Sequence, residues 1–263
     1  MKTIMIELPK LIIFDFDNVM YQNEPNCDVR MLAVASAVVL AHYGVSSEVS
    51  RQNHVHCWKL YKDGFRYLLH DSIEYVDNKG CARAIVNPIK KEFRERQYLM
   101  THHAFERILR NDVHGIRNDQ AVDLFHELSE KTRVCFASHA VTPSLHMMMN
   151  RIGVKPTFLQ HAFGMTCLGG GAGWARKDDP DSGVYKWLCD KYGVHPNDAM
   201  MVEDTASNLI GAKKTGLQTV HIDYGKKRCA PYIDHSYTGT SQFLSHIMLY
   251  GVANRSLPTQ KLG

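Results

Sequence analysis

Leu11 to Tyr21 reads LIIFDFDNVMY, and the fold turns on how this stretch is taken. Leu11, Ile12, Ile13 and Phe14 form an unbroken apolar run rich in β-branched residues, the pattern of a strand buried on both faces. The run ends in two carboxylates, Asp15 and Asp17, separated by a single residue. Side chains alternate along an extended chain, so the two acids share one side as the strand ends. Anions that close repel each other unless a cation or a proton lies between them, and the arrangement therefore asks for a metal. The simpler alternative is a solvated strand end followed by an Asp-Asn turn. The segments downstream decide between them.

The chain beyond residue 130 alternates strand and helix. Arg133 to Ala137 (RVCFA) reads as a strand, followed by Ser138, His139 and Ala140. Thr142 and Pro143 then serve as N-cap and first residue of a helix reaching about Ile152. Thr157 to Gln160 is expected as a short strand. The glycine-rich CLGGGAGW of Cys167 to Trp174 lacks the Gly-Lys-Ser/Thr ending of a phosphate-binding loop and reads as a connection, with Lys177 just beyond it. Asp179 and Pro180 are expected to cap a helix ending near Tyr192. Ala199 to Val202 (AMMV) is a second buried strand with an acidic end, Glu203 and Asp204. Ala206 to Thr215 reads as a helix closed by Gly216, Gln218 to Ile222 as a strand, Ile233 to Tyr237 as another, and Gln242 to Tyr250 as a last helix.

Between the two ends of this pattern the character is helical. Val29 to Tyr43, Val49 to Leu69, Pro88 to Tyr98, Ala104 to Leu109 and Gln120 to Glu130 carry helical spacing, and no strong strand is read among them. The expected architecture is α/β: a Rossmann-like parallel sheet core with helices on both faces, and a helical insertion after the first strand. Residues 1–21 and 131–250 would form the core, 22–130 the insertion and 251–263 a frayed tail.

At 263 residues and 44% hydrophobic, the chain can bury a large core. A net charge of +4 is too diffuse to argue for a nucleic acid polymer but suits a small anionic substrate. No apolar run is long enough to span a bilayer, and MKTIMIELPK does not read as a signal peptide, so no membrane association and a cytoplasmic location are expected. The seven cysteines show no CxxC pair or disulfide framework. A monomer or homodimer is expected. His54, His56, His102 and His103 lack a ligand pattern, and Met147 to Met149, like Trp58, Tyr61, Phe65 and Tyr67, reads as packing.

In an open parallel sheet, ligands bind beyond the carboxyl ends of the strands, which would bring Asp15, Asp17, Ser138, Glu203, Asp204 and Lys177 to one edge. This order and spacing resembles the four motifs of the haloacid dehalogenase superfamily, over residues 10–22 and about 132–237. Asp15-Phe16-Asp17-Asn18-Val19 matches DxDx(T/V), Ser138 the second-motif hydroxyl, and Lys177 the third-motif lysine. The acidic pair Glu203-Asp204 with Asn208 four residues on matches the fourth. The KPxP that often surrounds the lysine is absent, since Asp178 stands in the proline position.

The resemblance implies Asp15 as a nucleophile toward phosphorus and Asp17 as acid and base for the leaving oxygen and water. It implies Mg²⁺ held by Asp15, by Asp17 through its carbonyl and by Asp204, with Glu203 and Asn208 supporting. Lys177 would hold phosphate and nucleophile, with Ser138 and nearby backbone N–H groups on the phosphoryl oxygens. His139 follows Ser138 where the family often has a small or polar residue; it is read as a further phosphate contact, with a loop histidine of no role as the alternative. Dehalogenases and phosphonatases of the superfamily do not carry the second acid, so Asp17 implies a phosphatase, with a phosphomutase or an inactive phosphate-binding scaffold as alternatives. An insertion right after the first motif is similar to a C1-type cap, which closes over a site and selects the substrate. Asp17-Asn18-Val19-Met20-Tyr21 resembles the DNxLY of pyrimidine 5′-nucleotidase-like members, which puts a nucleoside 5′-monophosphate among the small phosphorylated substrates expected.

Overall fold

A computed structural model describes residues 8–22, 71–76, 81–86, 90–93, 116–117, 119–140, 142–164, 177, 179–181, 183–226 and 229–251. The chain divides into two compact units, Met1–Gln22 with Ile116–Gly263, and Asn23–Gly115.

The first unit is built on β1 (Leu11–Phe14), whose residues are all fully buried. A short ribbon follows, β2 (Tyr21–Gln22) paired antiparallel with β5 (Ile116–Arg117). In the second unit, β3 (Ser72–Val76) and β4 (Ala82–Val86) pair antiparallel, from Ser72 opposite Val86 to Val76 opposite Ala82. This hairpin corrects the reading of 22–130 as helix without strands. Its sequence signal is brief: two runs of five residues flanking Asn78 and Gly80, residues of the kind that favour turns. The helices expected over Val29–Tyr43, Val49–Leu69 and Ala104–Leu109 lie outside the described residues, as do the glycine-rich loop and the four histidines of that region. Of Pro88–Tyr98, residues 90–93 are described, with Lys91–Phe93 in a 3-10 turn.

Helix α1 (Asp119–Ser129), read from the sequence as part of the insertion, falls in the first unit. The reason is its apolar stripe: Ala121, Val122, Phe125 and Leu128 are buried, and Phe125 meets Phe14 of β1 edge-on at 5.5 Å. The remaining elements alternate. They are β6 (Arg133–Ala137), α2 (Thr142–Ile152), β7 (Ala162–Phe163), α3 (Val184–Tyr192), β8 (Ala199–Glu203), α4 (Leu209–Thr215), β9 (Gln218–Ile222), β10 (His235–Tyr237) and α5 (Thr240–Tyr250).

Two boundaries differ from the sequence expectation. Thr157–Gln160, expected as a strand, lies in a 3-10 turn over Pro156–His161, and the strand begins at Ala162. Asp179 does not cap α3. Its side chain accepts from the Asp181 N–H at 2.9 Å, and the helix starts only after Gly183, whose φ of +70° a residue with a Cβ rarely adopts.

Six strands form one sheet in the order β10-β9-β8-β1-β6-β7, all pairs parallel. Its strands, numbered along the chain, run 3-2-1-4-5-6 across the sheet, and the order reverses between β1 and β8. Both faces are covered, as a parallel sheet requires. Leu11 and Ile13 pack with Tyr185, Leu188, Leu209 and Ala212 of α3 and α4. Phe14 points the other way, to Phe125 of α1 and Phe243 of α5. Among the described residues no helix is long and apolar enough to cross a membrane.

Candidate active site

Strand register builds the site. Phe14 lies opposite Phe136 on one side and Val202 on the other, so the next residues bring Asp15 level with Ala137 and Glu203. The Asp15 N–H continues the ladder, donating to the Val202 carbonyl at 2.8 Å, and Ser138 follows β6 with its N–H on the Phe163 carbonyl at 3.0 Å. The loop after β6 runs close to the end of β7. A Cβ on Gly164 would come within 2.4 Å of the Thr142 nitrogen and 2.5 Å of the Ala140 oxygen, so only glycine fits there.

Lys177 is the centre of charge. Its side chain is 1% exposed, and its ammonium donates to Asp15 Oδ1 and, at 2.7 Å, to Glu203 Oε2. Burial alone would push this lysine down, but the Asp15 and Glu203 carboxylates hold it above its ordinary value, so it stays charged. Glu203 is likewise buried, which raises it, yet the Lys177 ammonium brings it below the usual glutamate range. Its Oε1 also accepts the Thr205 N–H at 3.1 Å.

Asp15, Glu203 and Asp204 each present an oxygen within 4.8 Å of the others. Burial, followed by the charge of Glu203, raises Asp15 and Asp204 well above the ordinary aspartate value. Three acids facing one point, with one lysine between two of them, form a set of hard oxygen donors suited to a divalent cation. The Asp204 carbonyl is tied back by Nε2 of His221 on β9 at 2.9 Å.

Asp17 faces a different set of groups. Ser138 Oγ donates to its Oδ2 at 3.1 Å and the Tyr21 hydroxyl donates to its Oδ1. Ser138 Oγ also accepts the Ala140 N–H at 3.0 Å. Asn18, next along, has a φ of +58°, a left-handed turn conformation that asparagine tolerates better than most residues. The turn reading of Asn18 is therefore sound, while Tyr21 does more than close the turn.

Of the residues singled out from the sequence, Asp15, Lys177, Glu203 and Asp204 form one cluster, and Asp17 with Ser138 forms a second beside it. Glu203, expected in support of a metal, is the second anchor of Lys177. His139, expected on phosphate, accepts the Lys177 backbone N–H on Nε2 at 3.0 Å and so braces the lysine. Asn208 is buried before α4, its carbonyl accepting from the Tyr185 hydroxyl at 2.7 Å. The contact of Tyr21 with Asp17, and His221 altogether, are not foreseen from the sequence. The signal for His221 is a polar residue on an otherwise buried strand, QTVHI; the signal for Tyr21 is the DNxLY likeness, which spacing alone does not convert into a contact.

The family described as haloacid dehalogenase-like hydrolase matches residues 9–216. A 44-residue stretch is 43% identical to (S)-2-haloacid dehalogenase 4A of Burkholderia cepacia, spanning 17% of this chain and 19% of that protein. The fold is similar to that of CbbY from Rhodobacter sphaeroides, crystallised with xylulose-(1,5)bisphosphate. The TM-score is 0.61 at 14% identity, over 93% of this chain and 100% of that one. It is also similar to a HAD phosphatase from Thermococcus onnurineus, with a TM-score of 0.56 at 16% identity over 93% and 99% of the two chains. At these identities the structural likeness speaks for the fold, and the match over residues 9–216 for the family: the chain belongs to the haloacid dehalogenase-like hydrolases.

Proposed function

We propose that this hydrolase is a Mg²⁺-dependent phosphatase that cleaves a small phosphate monoester through an aspartyl-phosphate on Asp15. The observation that carries the reading is the pairing of two unlike aspartates at one strand end. Asp15 is held by Lys177 inside the acidic cluster, and Asp17 is held by hydroxyls beside it. Halide departs as a stable anion and needs no proton, whereas the alkoxide released from a phosphate ester does, and Asp17 would be its donor. The buried acids argue the same way. Asp15 and Asp204, raised by burial and by Glu203, are costly to ionise together without a cation.

The donor set fits Mg²⁺: Asp15 and Asp204 would hold it, with Glu203 shared with Lys177. When bound, the ion would neutralise the charge of the phosphoryl group and let it approach the carboxylates. The rest belongs to the chain's own residues. An Asp15 oxygen bonds to phosphorus as the ester P–O bond breaks, and the leaving oxygen takes the Asp17 proton. Water then gives a proton to Asp17 and attacks the phosphorus, the P–O bond to Asp15 breaks, and inorganic phosphate leaves. Lys177, braced by His139, holds the phosphoryl oxygens and restrains Asp15.

A nucleoside 5′-monophosphate enters the substrate range through the likeness of residues 17–21 to DNxLY. The 44-residue match to a haloacid dehalogenase favours a second reading, dehalogenation, in which Asp15 attacks carbon and expels halide. A panel of phosphorylated metabolites assayed with Mg²⁺ and with EDTA, beside chloride release from 2-chloropropionate, separates the two. Phosphate release that EDTA stops is expected. Metal-independent halide release without phosphatase activity would overturn the proposal. Phosphoryl transfer to sugar in place of water would mark a mutase.

A further inference from the structure

Asp17 is held by two hydroxyls, and they come from different parts of the chain. Ser138 sits beyond β6 and is fully buried, whereas Tyr21 opens β2 and is 3% exposed. Each donates to a different carboxylate oxygen, Ser138 to Oδ2 at 3.1 Å and Tyr21 to Oδ1. A carboxylate gripped at one oxygen still turns about its terminal bond, whose torsion is broad and roughly two-fold. Gripped at both, it has one orientation. Each oxygen accepts more than one hydrogen bond, so these contacts leave lone pairs with which the group takes up and delivers a proton.

The phenol is itself fixed. Its ring packs on Phe16 at 5.3 Å, and Tyr21 pairs with Arg117 of β5. The turn between Asp17 and Tyr21 is pinned from outside: the Tyr224 hydroxyl donates to the Asn18 carbonyl, and Thr240 Oγ1 donates to the Val19 carbonyl at 2.6 Å. Within the turn, the Met20 N–H donates to the Phe16 carbonyl at 3.0 Å. A donor so tightly located orients its acceptor at little further entropic cost, as preorganised groups do.

We propose that Tyr21 is a positioning residue for acid catalysis: its phenol, acting with the Ser138 hydroxyl, sets the Asp17 carboxyl at the angle from which it protonates the leaving oxygen. The inference rests on the phosphatase reading above. Tyr21 keeps its own proton throughout; the proton that moves goes from Asp17 to the departing oxygen as the ester P–O bond breaks.

The test is Tyr21→Phe, which removes one oxygen and keeps the ring on Phe16. The readout is kcat/KM with Mg²⁺ on two esters, an alkyl phosphate and p-nitrophenyl phosphate, because kcat/KM covers steps only through the first departure of the leaving group. The alkyl ester needs a proton to leave, and the nitrophenolate does not. Expected is a fall of roughly 5- to 30-fold on the alkyl ester, a part of the full effect of a general acid, with less than about 3-fold on the aryl ester. Asp17→Asn should show the same imbalance, enlarged. The aryl ester also reports whether the variant's site is intact. Equal loss on both esters would make Tyr21 merely structural, and no loss on either would make it idle; both outcomes overturn the inference alone. If the wild-type protein hydrolyses neither ester in a Mg²⁺-dependent way, the phosphatase reading falls and takes the inference with it.

Discussion

Asp15 and Asp17 stand on one short loop, two residues apart, in unlike surroundings. Asp15 is 5% exposed and lies against the Lys177 ammonium with Glu203 and Asp204 close by, so its chemistry is set by charge. Asp17 is half-buried, and its carboxylate is held by two neutral hydroxyls, so its chemistry is set by direction. The charged cluster lies between β1 and β8, where the sheet order reverses. The hydroxyl pair draws on the opposite neighbour, β6, through Ser138. One backbone segment thus carries two unlike carboxylates because the strands on its two sides bring different chemistry, and the proposed phosphatase reading gives each its own role. A nucleophile needs its charge fixed against a cation, while an acid-base group needs a defined angle and access to protons.

Changes on the charged side should cost the most. Asp15→Asn removes the oxygen proposed to attack phosphorus and should lower Mg²⁺-dependent hydrolysis of p-nitrophenyl phosphate by roughly 10³-fold or more. Its thermal melt should show a folded protein, since the variant also relieves crowding among the acids. Turnover close to wild type would mean that the two aspartates are not divided as described. Next comes Lys177→Met, which leaves Asp15 and Glu203 buried without their counter-ion. Breaking a buried pair of this kind costs about 3–5 kcal/mol, readable as a lower urea midpoint. A midpoint unchanged from wild type would show that the acids do not depend on the lysine.

A milder response is expected to pH and metal. Asp15 and Asp204 are raised in the folded state, first by burial and then by Glu203. Their contribution to stability is therefore complete below the unfolded value of about 4 and is lost as pH rises through their folded values. Glu203, held low by Lys177 against its burial, contributes in the opposite sense: its share is present above the unfolded value and is lost as pH falls through the folded one. A cation bound among the acids offsets the first loss alone. Mg²⁺ should accordingly raise the melting temperature more at neutral pH than near pH 5, by a few degrees. Equal shifts at both pH values, or no shift, would count against the cluster as a cation site.

Much of the charged half is legible in the sequence. β1, β6 and β8 are continuous apolar runs because both faces of a parallel sheet are covered, and an acid at the end of such a run stands out. The hydroxyl half is harder to read. Motif order points Ser138 at phosphate but does not show that its hydroxyl donates to Asp17, and nothing in the spacing of Tyr21 shows that its hydroxyl reaches the same carboxylate. Contacts of that kind depend on how a turn is folded back, which periodicity does not encode. Asp179-Pro180 carries a helix-start pattern, but the Asx turn onto Asp181 uses the cap oxygen locally. α1 reads correctly as a helix and is assigned by sequence to the wrong unit, because its amphipathic stripe tells that it packs and does not tell against what.

The proposed hydrolysis turns on phosphorylation of Asp15. Mixing the protein with Mg²⁺ and a radiolabelled phosphate ester, quenching in acid within the first turnovers and mapping peptides tests it directly. Label is expected on the peptide containing Asp15, released by hydroxylamine as an acyl phosphate is, and absent from Asp15→Asn. Label on a different residue, or rapid phosphate release with no label on the protein at any time, would contradict it.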